Sequence, residues 1–132
     1  MSEEPVLVVV VVLVCGAAGA SLRWALTRWW GPHGLLAANV LACLVAGAAM
    51  AAVTPPQPLW DIHSMHAPRV PLAALVAFPL GLGTFSTLAV ESLQAAEHGG
   101  PGPALRMWLR HLSWGALAAG AGLLAVRLLL HG

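Results

Sequence analysis

Gly83-Thr84-Phe85-Ser86-Thr87 sets a glycine, three hydroxyls and one aromatic ring inside an otherwise apolar run, residues 70–90, long enough to cross a bilayer. Hydrocarbon offers the backbone no water. A helix broken at that depth therefore persists only where it is buried in protein or borders a cavity, and such breaks are typical ion and substrate sites. The pattern points to a chain that carries something small and polar across a membrane. No residue set for covalent catalysis and no nucleotide-phosphate motif accompanies it, so the expectation is a non-enzyme.

Other polar side chains in apolar surroundings narrow the chemistry. Asn39, between Leu36-Ala37-Ala38 and Val40-Leu41-Ala42, is the only side-chain amide inside the expected helices. A primary amide carries two N–H donors and one acceptor oxygen and is costly against lipid. It must face either a pathway or another helix. Phe85 and Leu88 share a helix face by their spacing of three. A phenylalanine edge is electropositive, so a ring presented edge-on can favour an anion, although core packing explains the spacing equally well. Ser86 and Thr87 add hydroxyls, which in membrane helices often bond back to their own backbone. Arg23, near the end of the first apolar segment, either lends a vestibule a positive field or snorkels to headgroups. Glu91 closes the third segment, as a structural partner for an arginine or as a working carboxylate. His111 is the histidine placed well inside a helix, where it pairs with Ser113 or lines a cavity. His63 and His66, in a loop at spacing three, are weak metal ligands. Cys15 and Cys43, one per helix, read as small packing residues.

The elements that must hold these groups follow from composition. The chain has 132 residues, 59% hydrophobic and 8% charged, with mean hydropathy +0.82. Soluble domains carry about 25% charged residues, so this is an integral membrane protein. The net charge of +1, without any lysine, offers no basic face for nucleic acid. Four apolar segments meet the length of a spanning helix, giving one all-α membrane domain with helices at 6–28, 34–53, 70–93 and 104–130, the third broken near its middle. The first segment follows Glu3 and Glu4 rather than a basic stretch, so it reads as a retained helix, not a cleaved leader. Gly31-Pro32-His33-Gly34 suits a tight reversal. Trp24, Trp29 and Trp30 suit the membrane–water boundary, as does Trp60 in the second connection. That connection, residues 54–69, carries Pro55, Pro56, Pro58 and Pro68 and should be irregular. The third connection, residues 97–103, is rich in glycine and proline. Arg23, Arg28, Arg106 and Arg110 fall nearest one side of the membrane, Arg69 and Arg127 nearest the other, a small bias that would place the first side in the cytoplasm and both termini outside. Small residues four apart, Gly16 with Ala20, Ala42 with Ala46 and Ala116 with Gly120, permit close helix contact. Four helices cannot easily both enclose a path and pack together, so an oligomer is expected.

The chain resembles the CrcB/Fluc fluoride channels through three ordered motifs. Gly16-Ala17-Ala18-Gly19-Ala20-Ser21-Leu22-Arg23-Trp24 is similar to that family's first-helix pattern GxxGAxxR with a following aromatic. Gly34, Asn39 and Gly47 fit the second-helix pattern G(x4)N(x7)G. Residues 81–91, Gly-Leu-Gly-Thr-Phe-Ser-Thr-Leu-Ala-Val-Glu, resemble the third-helix signature GxTTFSTFxxE. The resemblance implies a passive fluoride channel in the inner (plasma) membrane, built as a dual-topology, antiparallel dimer that exports cytoplasmic fluoride and limits its toxicity. It implies Asn39 as a pore-lining amide, Phe85 as a ring touching fluoride, Ser86 and Thr87 beside the helix break, and Arg23 at a vestibule. Backbone carbonyls at Leu80 and Gly83 would match those holding a structural sodium ion at the dimer centre.

The sequence also departs from the family. Leu88 stands where a second phenylalanine is usual, Gly83 where the first threonine of the TT pair stands, Leu80 at the preceding sodium-site glycine, and Ala42 at a glycine after the asparagine. The fourth segment aligns poorly. These departures raise a second expectation, that the chain pairs with a second family member as a heterodimer. Two other readings remain: a non-conducting membrane subunit, and a small multidrug-type transporter, which would need a carboxylate inside the first helix. Glu3 and Glu4 lie before it. A haem bundle would need histidines paired across helices.

Overall fold

In the computed structural model the described residues are 4–53, 69–83 and 85–131, without the side chains at 4, 32, 53, 69, 85, 86 and 131. Thr84, the second connection with its prolines, Trp60, His63 and His66, and the side chains of Arg69, Phe85 and Ser86 lie outside that set. Everything described is helical apart from turns: α1 is Glu4–Trp30, α2 Gly34–Val53, α3 Arg69–Leu82, α4 Phe85–Gly99 and α5 Pro101–His131. Four spans, with α3 and α4 counted as one, are long and apolar enough to cross a membrane.

Glycine and proline set the ends of the helices. One short 3-10 turn, Gly31–His33, reverses the chain between α1 and α2, with Gly31 at φ +52°, a left-handed conformation open to glycine at little cost. The third connection is shorter than its composition promised. α4 runs on to Gly99 and α5 already begins at Pro101, so only Gly100, at φ +77°, lies between them. The Gly100 N–H bonds the Ala96 carbonyl at 2.8 Å, closing α4, while Pro101 and Pro103 fit the first turn of α5, where no intrahelical N–H bond is needed. As a result Gln94 and His98 belong to α4, so Asn39 is not the only amide in a helix, nor is His111 the only histidine. His98 bonds the Gln94 carbonyl at 2.8 Å near the exposed end of that helix.

The third span is interrupted between Leu82 and Phe85. Pro79, inside α3, has no N–H to give the preceding turn, and the final helical bond runs from the Gly83 N–H to the Pro79 carbonyl at 2.8 Å. α4 then restarts the helix.

Two pairs of helices make the most extensive contacts: α1 lies along α3, and α2 along α5. Both seams work by the same device. A Cβ at Gly19 would meet the Phe78 carbonyl and come within 2.8 Å of the Leu82 N, and one at Gly81 would meet the Gly16 carbonyl. Across the other seam, a Cβ at Gly47 would run into the backbone of Ala119, and one at Gly122 into the Leu44 carbonyl. In lipid, where apolar burial between helices gains little, such backbone-to-backbone approach is what holds helices together. Ala38, Ala42 and Leu82 form the centre of the core, packed by Leu22, Leu26, Leu41 and Phe78. Of the small pairs named above, Gly16 does pack on α3, but Ala116 and Gly120 face outward, with nothing within 4 Å of a Cβ at Gly120. The inward face of α5 is His111, Gly115, Ala118 and Gly122 instead.

Candidate functional site

Asn39 stands on α2 where that helix crosses α5. Its Nδ2 donates to the His111 backbone carbonyl at 3.0 Å. The bond needs a glycine opposite: a Cβ on Gly115 would come within 3.2 Å of Asn39 Nδ2 and 3.1 Å of Cys43 Sγ. Gly115 thus leaves room for the amide to reach across the seam. One N–H and the carbonyl oxygen of the amide are left over from that bond.

Asn39 also lines a cavity of about 70 Å³, together with Leu35 of α2, Leu82 and Gly83 at the end of α3, Leu88 of α4, and Trp108, His111 and Leu112 of α5. This is room for a few waters or one small ion with part of its shell. The pathway reading and the helix-bond reading of Asn39 are therefore compatible, one N–H serving the seam while the side chain borders the cavity. The helix break reaches the same place, because Gly83 forms part of the wall. On its other side Gly83, again with Asn39, borders an open groove of about 330 Å³ between α2 and α3, faced by Ala42, Cys43, Ala46, Met50, Val76 and Leu80. Asn39 and Gly83 are thus the shared wall between an inner cavity and an outer groove.

The remaining sequence-derived residues divide. Leu88 is 8% exposed and lines the cavity; it brings no ring edge and no donor. Thr87 is half-buried on α4 and has an interaction of its own, outside the cavity lining. The side chains of Phe85 and Ser86 are outside the described set. Leu80 is 66% exposed and turns to the groove, so its bulk points away from the core. Arg23, half-buried and with a partner, does not border the cavity; its backbone carbonyl accepts a bond from Thr27 Oγ1 at 3.1 Å. Glu91 is half-buried on α4 and also off the lining. Hydroxyls turned back on their own helices are common here: Ser92 to Ala89 at 2.8 Å, and Ser113 to Arg110 at 3.2 Å. Ser113 is exposed and so does not pair with His111.

His111 and Trp108 are the cavity residues with a ring N–H or nitrogen that the motifs did not assign. His111 is 4% exposed, one of two buried polar residues described. A signal for it existed: it heads the series 111, 115, 118, 122, whose other members are all glycine or alanine, the spacing of one helix face. Among the described residues no group of three metal-binding side chains comes together.

Residues 10–123 match the family model described as CrcB-like protein, Camphor Resistance (CrcB). The chain belongs to the CrcB-like family. Curated relatives agree over nearly the whole length. One from Cupriavidus pinatubonensis, named fluoride-specific ion channel FluC, is 37% identical over 126 residues, covering 91% of this chain and 94% of its own. One of the same name from Cupriavidus taiwanensis is 35% identical with the same coverage. A third, from Acidobacterium capsulatum and again of that name, is 32% identical over 115 residues, 82% of this chain and 86% of its own. With its four apolar spans, this CrcB-like chain is a multi-pass membrane protein.

Proposed function

We propose that this chain is a fluoride-selective channel subunit that lets cytoplasmic fluoride leave down its gradient and so reduces fluoride toxicity. The observation that carries the reading is the joining of Asn39 and the broken third span at one small cavity, in a chain aligned nearly end to end with relatives named for fluoride conduction. Fluoride is small and holds its water strongly. A path must replace that water with N–H and O–H donors: the Asn39 N–H not used on the His111 carbonyl and, on the sequence motif, the hydroxyls of Thr84, Ser86 and Thr87 with the ring edge of Phe85. The described lining carries N–H donors and no carboxylate, which favours an anion. Hydrogen fluoride enters cells neutral and ionises inside; a passive pore in the inner (plasma) membrane lets the trapped ion out.

The working unit is an antiparallel pair of subunits, meeting at the groove between α2 and α3. Ala42, Ala46 and Ala49 on the groove wall allow a second helix to approach closely. The C-terminal carbonyls of α3 fit a structural sodium ion in that contact. A helix end leaves carbonyls without intrahelical partners; the Pro79 carbonyl is taken by Gly83, and Leu80 and Gly83, both on the groove wall, would offer theirs as hard oxygen donors. One subunit supplies too few ligands, so a second subunit would complete the shell. Leu88 in the cavity wall favours a partner of different sequence, a second family member.

Fluoride efflux from liposomes holding the purified chain, read by an ion-selective electrode with chloride for comparison, tests the reading. Fast efflux of fluoride alone is the expected result, from this chain by itself or after mixing with a second family member. No fluoride efflux in either case refutes it.

A further inference from the structure

We propose that His111 supplies a second hydrogen-bond donor to the small anion in the cavity, facing Asn39 across the α2–α5 seam. The inference rests on the channel reading and adds a specificity-determining residue from α5. Asn39 has already spent one of its two N–H groups on the His111 carbonyl at 3.0 Å, so it alone offers the cavity a single donor. Leu35, Leu82, Leu88 and Leu112 offer none, so further side-chain donors in this lining must come from the two ring N–H residues, Trp108 and His111. A strongly hydrated anion that left its water for one N–H would be poorly compensated.

His111 sits in the same wall, on the same residue whose carbonyl positions Asn39. It is 4% exposed and is part of the cavity wall, beside Asn39. A neutral imidazole carries one N–H in either tautomer, so a donor is present whether or not the ring is protonated. The backbone and side chain of His111 thus act on the same ion, the first by holding Asn39 and the second by contact.

The test compares wild type with H111F, which keeps an aromatic ring without N–H, and H111N, which restores a side-chain N–H. Each is reconstituted in liposomes after elution from size exclusion at the wild-type position. Wherever wild-type flux requires a second family member, that member is added to every sample. The expected result is a fluoride flux lowered about tenfold or more in H111F, as for loss of a hydrogen bond to a charged group, and recovered to within about threefold in H111N. Should H111F elute as aggregate, H111M, flexible and also without N–H, takes its place. Wild-type conduction with H111F undiminished, or with H111N as low as H111F, overturns the assignment and leaves the channel reading standing. Absence of wild-type flux overturns both.

Discussion

The α1–α3 and α2–α5 seams are built alike and used differently. In each, glycines let one backbone lie against another: Gly19 and Gly81 in the first, Gly47 and Gly122 in the second. The second also carries a side-chain hydrogen bond from helix to helix, Asn39 to His111, and it is beside that bond that the cavity opens. Close packing alone therefore does not mark a pathway. A pathway needs a place where the packing device is interrupted by polar groups that must be satisfied, and the α2–α5 crossing beside the α3–α4 break is that place. The first seam fixes where the end of α3 lies; the second presents donors to it.

The largest effects should come from breaking the shared device. Gly47→Leu pushes a side chain into the Ala119 backbone, and Gly19→Leu pushes one into Phe78 and Leu82. Neither backbone can yield without parting the helices, so both variants should fail to give a monodisperse peak in mild detergent. A well-folded Gly19→Leu protein with normal flux would show that the first seam is not needed to place the break.

Asn39→Asp should separate the seams by function. A carboxylate has no N–H for the His111 carbonyl and sets a negative charge against both that oxygen and an incoming anion. Fluoride efflux should fall at least tenfold, on the order of 1.4 kcal/mol or more in barrier, in protein that still elutes normally. Unchanged efflux would remove Asn39 from the path and return it to a purely structural role.

Gly115→Ala is a gentler probe of the same crossing. The new methyl would lie 3.1 Å from Cys43 Sγ and 3.2 Å from Asn39 Nδ2, contacts that close only if one neighbour shifts by a few tenths of an ångström. We expect flux lowered by roughly threefold to tenfold, a cost of about 1 kcal/mol, with part of it recovered in Gly115→Ala/Cys43→Ala, where the thiol makes way. No recovery in the double variant would mean that the amide itself has been displaced.

What could be read from the sequence follows the same division. Asn39 and Gly83 stood out in the sequence because polarity and a break inside hydrocarbon are expensive, and both border the cavity. The four spans were legible from apolar length. The end of the third span was not, because Gly99, Gly100 and Pro101 look like a loop in composition, although a single left-handed glycine followed by a proline suffices to join two helices. His111 was not assigned because the motifs end before α5 and one histidine in a helix has many uses; its place depends on which face of α5 meets α2. That choice of face is the least legible feature of a membrane helix, since a lipid-facing side is as apolar as a packed one. Gly115 with Gly122, and Ala116 with Gly120, are both plausible contact pairs by spacing, and only the packed structure tells them apart.

The smallest expected effect concerns the face that the chain leaves outward. A Cβ on Gly120 meets nothing within 4 Å, and Ala116 beside it is exposed. Gly120→Ala should therefore leave fluoride efflux within about twofold of wild type and raise helix stability by roughly 0.5–1 kcal/mol through the lost freedom of the unfolded chain. Thermal loss of the size-exclusion peak and efflux, measured on one preparation, report both. A marked fall in efflux with the peak intact would place a second helix against this side of α5 in the assembled channel, because only a neighbour from another subunit could feel that methyl. The α2–α3 groove proposed as the subunit contact would then not be the only such surface, and the contrast between an inward seam that works and an outward face that does not would have to be redrawn.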